Sequence, residues 1–401
     1  DHSRLSPEAI FRKLKVNPGH FNMQRQTLAG LLAGKDQPLK ERIEWGAMRM
    51  DPTDVADVSG STYQFLVNGY GPRDNWTALF APGERVRLRI VNASAMSIFN
   101  VRIPGLRMTV VQADGLNVVP TEIDEFQIGV AETYDVIVTP ADDRAYTIVA
   151  EVNDRSGMAR ATLAPRAGMA AEVPPLRERP LATMKDMGMG AMAHGAPAGD
   201  ASCAPEHAAM GHCTPAASAP DHAAIGHGAD GGAGGMEHSM RDFSVAPQVK
   251  RDPSVQSISP MPVDRMGEPG QGLEDVGHKV LTYHDLVALD PNPDTRAPGR
   301  SLDIHLTGNM ERFMWSFDGV KMSDHHEPIP FIEGERVRVN LINDSMMSHP
   351  IHLHGHFFEL VTGKGDRSPR KHTVLVQPGG TASFDFTADA LGDWAFHCHL
   401  L

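Results

Sequence analysis

Two stretches of this chain, APGERVRLRIVNASAMS (81–97) and IEGERVRVNLINDSMMS (332–348), match in register without a gap. A chain that repeats itself in this way is constrained to build one scaffold twice. The shared order is a glycine, a charged–apolar alternation, Asn-x-Ser and then Met-Ser. Two further blocks follow in the same sequence: YDVIV (134–138) corresponds to FDFTA (384–388), and YTIVAEV (146–152) to WAFHCHL (394–400). One shared pentapeptide would carry little weight, but three matched blocks in order imply a duplicated domain.

The repeated unit reads as strand. RVRLRIV, FNVRI, MTVVQA, FQIGV, YDVIV and YTIVAEV alternate or nearly alternate in polarity and are broken by Gly, Pro, Asn and Asp. That pattern predicts antiparallel sandwiches or barrels, so the expected fold class is all-β. With 401 residues the chain suits two or three domains. We expect a mostly helical connection over 1–41, with Ser6 capping a helix that starts at Pro7 and a second helix stopping near Gly34. The first β domain is expected over 42–167 and the second over 278–401. Between them, 168–277 is rich in Ala, Gly, Pro, Met and His and reads as a flexible linker.

The duplication serves as an internal control on function. In the second copy HPIHLHGHFF (349–358) places four histidines in eight positions, and WAFHCHLL ends the chain. Extending the match sets Ile98 opposite His349, Val101 opposite His352 and Ile103 opposite His354. At the far end Val149, Ala150 and Glu151 stand opposite His397, Cys398 and His399. A requirement of the fold would occur in both copies, so these residues read as a site added to a scaffold.

Strand geometry sorts that site. Side chains two apart share a face and odd neighbours point oppositely. His352 and His354 therefore share one face, as do His397 and His399, which makes an all-imidazole group. His349 and Cys398 point to the other side and begin a second, sulfur-containing group. Thiolate with imidazole suits copper, with zinc as the competitor, although zinc usually takes Cys-x2–4-Cys pairs or a helical His pair that are missing here. His356 reads as a neighbour of the site and not a ligand, and His325 and His326, beside Asp324 and Glu327, read as loop residues.

HPIHLHGH followed by WAFHCHLL resembles the C-terminal copper motifs of the multicopper oxidases. MRMDPTDVADVSGSTYQFLVNGYGPRDNWT, IPGLRMTVVQADG, AETYDVIV and MERFMWSFDGVKMSDHHEPIPF are similar to the periplasmic copper-resistance protein A branch of that family. The resemblance covers nearly the whole chain apart from the linker. It implies tandem cupredoxin-like Greek-key domains and copper of types 1, 2 and 3 in the full-length protein. It implies His349 and Cys398 as type 1 ligands, His352 as a type 2 ligand, and His354, His397 and His399 as type 3 ligands. Electrons would pass through Cys398 to its two neighbours, with Cu(I) or a phenol as donor and O₂ reduced to water. The partners implied are copper ions, O₂ and periplasmic copper carriers, in a periplasmic location. The family also needs His-x-His pairs from an earlier domain and a later His and Met. We therefore expect the chain to be part of a longer oxidase and to be inactive alone.

Within the linker Met184, Met187, Met189, Met192, His194, Met210, His212, Met236, His238 and Met240 offer soft donors for Cu(I) recruitment. Cys203 and Cys213 can pair in an oxidising compartment or join those donors. The competing reading is a copper-sequestering protein that works through this segment without turnover. A net charge of −13 argues against nucleic acid as a partner, and no apolar run is long enough to insert in a membrane. Asn92-Ala-Ser94 and Asn343-Asp-Ser345 fit a glycosylation triplet, but their place at the repeated strand end predicts a turn role.

Overall fold

The alternation read from the sequence is realised as sheets with one buried face. A computed structural model describes residues 1–16, 27–48, 50–56, 62–189, 240–324 and 327–400. In the first β domain, Val86–Val91 and Thr133–Val138 pair antiparallel, and their burial alternates along the strand. With Met108–Ala113 and Leu116–Ile123 they form a four-stranded sheet. A five-stranded sheet runs Thr77–Leu79, Met158–Ala164, Tyr146–Val152, Phe99–Arg102, Glu125–Ile128. Val101 and Phe126 from one sheet meet Val110, Tyr134 and Val136 from the other in a single apolar core.

The second domain repeats the plan. Arg336–Asn343 pairs antiparallel with Gly380–Thr387 in the larger sheet. Its three-stranded sheet runs Thr373–Val376, His349–Leu353, Phe396–Cys398. Val339, Phe358 and Phe384 pack against Ile351 and Val374 between the two sheets, with Phe358 and Phe384 stacked at 4.1 Å between ring centres. All-β architecture is thus observed, and among the described residues the α-helices lie at the start of the chain, with only single 3₁₀ turns further on.

Those helices extend further than expected. Pro7–Val16 starts as predicted, and Leu28–Leu32 ends just before Gly34, whose φ of +66° suits glycine. A third helix, Leu39–Ala47, crosses the predicted boundary at residue 42 and buries Trp45. The linker is narrower than expected. Residues 240–264 pack through a cluster of Ala246, Val249, Val255 and Ile258, and the buried pair Arg265–Asp186, 2.6 Å apart, ties the two ends of the segment together. A few well-placed apolar residues suffice there, although the average composition reads as linker.

Both domains share one polar corner. Asn92 Nδ2 donates to the carbonyls of Ser97 and Ile128, and its Oδ1 accepts from the backbone N–H and hydroxyl of Ser94. Asn343 does the same with Met347, Val376 and Ser345. The corners differ by one residue: Ser94 Oγ donates to Ser97 O, three residues on, whereas Ser345 Oγ reaches Met347 O, two residues on. The equivalences expected for the following strand therefore shift by one. Phe99, not Ile98, occupies the place of His349, and Arg102, not Val101, that of His352. The cross-strand pairs agree, Arg102 with Val149 and His352 with His397, so the far-end match stands as read. By the same shift Pro104 replaces Ile103 opposite His354, and the first copy still carries no histidine at these places. The ungapped match could not register a turn that differs in length.

Both corner asparagines are buried, which excludes them as glycan acceptors. Asn92→Ala should strip partners from two carbonyls and the Ser94 N–H, costing about 2–4 kcal/mol. Chemical denaturation against the natural protein measures it.

Candidate metal centre

The antiparallel pairing of His349–Leu353 with Phe396–Cys398 builds the site. It sets Ile351 opposite Cys398 and His352 opposite His397. On one face the rings of His352, His354, His397 and His399 gather with neighbouring centres 4.6–5.7 Å apart. His354 Nε2 lies 3.0 Å from His397 Nε2. His399 Nε2 is buried without a hydrogen-bond partner. On the other face His349 Nδ1 lies 3.4 Å from Cys398 Sγ. The structure thus brings all six expected donors together, in the two groups that strand alternation implies.

Burial sets the protonation of both groups. Burial pushes His349 down to about 4, so the folded protein carries it neutral with a lone pair available. His399 is also lowered to about 4, first by burial and then by its crowding against His397, His352 and His354. Burial lowers His352 as well. Burial pushes the Cys398 thiol up to about 12, so a metal taking the sulfur must displace a proton. Ser345 Oγ, 2.6 Å from His349 Nε2, and Trp315, at 5.1 Å between ring centres, fix the His349 ring. Among the described residues, no three His, Cys, Asp or Glu side chains already close around one ion-sized point. The donors nevertheless fit copper: neutral imidazoles, an orphaned buried nitrogen and a thiol next to a neutral histidine.

The remaining expectations are placed as follows. His356 packs its ring against Phe386 and Trp394, and its Nδ1 lies 3.1 Å from the backbone carbonyl of His354. His325, His326, Met192, His194, Cys203, Met210, His212, Cys213, Met236 and His238 lie outside the described residues. Met184 precedes a short 3₁₀ turn at Lys185–Met187. Met187, Met189 and Met240 join a cluster that reading the linker alone did not reveal. In it they meet Met310, Met346, Met347, Met48 and Met50 around Trp315 and Leu400. Trp315 touches His349, and the Leu400 N–H donates to Cys398 Sγ at 3.4 Å. The MMS step before His349 was the available signal, but it also reads as ordinary core. His372 was missed altogether. Its carbonyl accepts from His352 Nδ1 at 2.6 Å, and its ring lies 5.1 Å from that of His352.

Two family models described as multicopper oxidase match, one over residues 43–168 and one over 295–401. A copper resistance protein A homolog of Pseudomonas syringae pv. tomato is 46% identical over 414 residues, covering all of this chain and 67% of that protein. Copper resistance protein A of Escherichia coli is 46% identical over 423 residues and is covered to 68%. The multicopper oxidase MmcO of Mycobacterium tuberculosis is 25% identical over 395 residues, across 98% of this chain and 56% of that protein. Among solved structures, a mutant laccase from B. aclada superposes with a TM-score of 0.50 at 15% identity, covering all of this chain and 59% of the laccase, a likeness of fold. The chain spans about two thirds of the copper resistance relatives and somewhat over half of the laccase.

The lowered pKa of His349 has a stability consequence in the metal-free protein. An unfolded chain protonates this histidine near pH 6.5, the folded one only near 4. Between those values the unfolded state binds more protons, so stability rises with pH through the window and levels off above it. Acidification from pH 7 to 4 should cost on the order of 3 kcal/mol from this residue. Urea midpoints at a series of pH values should show that slope, and His349→Leu should reduce it while His399 and His352, also lowered, keep their share.

Proposed function

The chain belongs to the multicopper oxidase family, and we propose that it carries the electron-accepting half of a copper oxidase serving copper resistance. The observation that supports this most strongly is His349 Nδ1 at 3.4 Å from Cys398 Sγ, back to back with four imidazoles, two on the same paired strands and two directly at their ends. His349 and Cys398 would hold one copper, and His352, His354, His397 and His399 would supply imidazoles to a further copper group. Copper bound there would supply one-electron chemistry, with four donor equivalents each losing one electron and O₂ taking up four electrons and four protons from solvent to give two waters.

The chain's own residues do the rest. Cys398 ends its strand between His397 and His399 in the chain, so covalent bonds link the two donor groups. Trp315 and Ser345 keep the His349 ring aimed at the sulfur. The eight-methionine cluster that reaches Trp315 and Leu400 offers thioethers, which select Cu(I) over Cu(II). We therefore favour Cu(I) over a phenol as the electron donor, with Cu(II) as the product. A periplasmic location fits this chemistry, and no helix among the described residues is long and apolar enough to cross a membrane.

In the protein of full natural length, copper loading should produce an intense blue band and Cu(I)-dependent O₂ uptake. Cys398→Ser should abolish the band and lower O₂ uptake by more than about 100-fold. Copper uptake that yields neither band nor O₂ consumption would favour sequestration and sink the oxidase reading.

A further inference from the structure

We propose that Asp114, in the domain that carries none of the histidines, is a positioning residue for the metal site at His352. It would act through the peptide group that joins His372 to Thr373. The inference rests on the copper reading above and assigns a role to the other domain.

Asp114 and Gly115 form the tip of the hairpin between Met108–Ala113 and Leu116–Ile123. Their φ values of +46° and +81° suit the tight turn that an Asp-Gly pair favours. Such tips usually stand in water, but Asp114 is 3% exposed because the second domain covers it. Its Oδ1 accepts the Thr133 N–H at 2.9 Å and faces Lys371 Nζ at 3.0 Å. Its Oδ2 accepts the backbone N–H groups of His372 at 3.1 Å and Thr373 at 3.2 Å.

The Thr373 N–H and the His372 carbonyl are two ends of one peptide group. At its other end that carbonyl accepts from His352 Nδ1 at 2.6 Å. A carbonyl can only accept, so Nδ1 carries the hydrogen and Nε2 keeps its lone pair, the form that binds a metal. Thr373 Oγ1, 3.2 Å from the same Nδ1, adds a second contact. A negative charge at the N–H end of the peptide polarises it and makes the carbonyl oxygen a stronger acceptor. The result is a carboxylate–histidine–metal relay with a peptide inserted between carboxylate and histidine.

The cost of burying the carboxylate is offset locally. Lys371 is fully buried and also lies 3.2 Å from Glu132 Oε1, over the face of Tyr134. At 3.0 and 3.2 Å the ammonium is ion-paired with both carboxylates. Burial opposes the charge on Lys371, yet Asp114 and Glu132 hold its pKa above the ordinary lysine value. Lys371 directly precedes His372, so one dipeptide supplies both the counter-ion for Asp114 and the N–H that Asp114 grips.

The test uses the full-length protein. Nitrogen-15 NMR of the copper-free form should show His352 protonated at Nδ1 and bare at Nε2; the opposite tautomer would overturn the proposal. Asp114→Asn should weaken Cu(II) binding at the His352 site by about 10–100-fold and change the hyperfine splitting of that copper in EPR. The blue band from His349 and Cys398 should persist. Unchanged affinity and splitting would also overturn the role. Should the single variant fail to fold, Asp114→Asn with Lys371→Met removes the stranded ammonium, and the same two readings decide. A natural protein that takes up no copper would instead overturn the oxidase reading, while the His352 tautomer still decides whether Asp114 positions the ring.

Discussion

The ladder between His349–Leu353 and Phe396–Cys398 is the constraint on which the site depends. Successive side chains on a strand leave on opposite faces, so two short paired strands hold two chemically distinct donor groups without mixing them. Ile351, fully buried between the domain's sheets, anchors this arrangement from the core. A slip of one residue would exchange sulfur for imidazole on both faces. Cys398 can therefore face His349 while each of its chain neighbours faces the opposite way.

The first domain shows what the same backbone does when no metal chemistry is asked of it. Arg102 takes the place of His352 and Glu151 that of His399. The guanidinium and carboxylate lie 3.9 Å apart, in a network with Arg155, Arg177 and Glu125. Where the second copy crowds neutral imidazoles, the first satisfies the same positions with opposite charges. Glu125 and Glu151 are fully buried, and Arg177 reaches both at 2.6 Å, so the carboxylates are paired as buried charges must be. One backbone plan thus carries either solution, opposite charges in the first copy and crowded imidazoles with a bare buried nitrogen in the second.

Much of this was legible in the chain because duplication and strand alternation are local rules. GERVR and Asn-x-Ser located the equivalent strands, and odd–even spacing separated His349 and Cys398 from the four imidazoles. What was not legible came from turns and from long-range packing. The corner after Asn92 is one residue longer than the corner after Asn343, and an ungapped match cannot register that difference. The methionine cluster collects Met48, Met50, Met310 and Met347 from segments far apart in the chain, so no window of sequence displays it. His372, in an ordinary-looking RKHTV, gains its importance only from its carbonyl, a group that every residue has.

The contact between the domains shows why an ion pair, and not a further apolar patch, suits this place. An apolar contact could hold the domains together but would leave the peptide at His372–Thr373 free to tilt. A carboxylate that accepts two adjacent N–H groups fixes the peptide's orientation and therefore the direction of its carbonyl. Tyr283 reinforces the frame: its hydroxyl donates to Glu132 Oε1 at 2.7 Å and accepts the Leu375 N–H at 2.8 Å. Asp114, Glu132, Lys371 and Tyr283 thus hold both ends of the strand that lies behind His352. A buried charged group is a poor source of stability but a good source of unique geometry. Unique geometry is what an imidazole needs when it must keep one nitrogen bare and aimed.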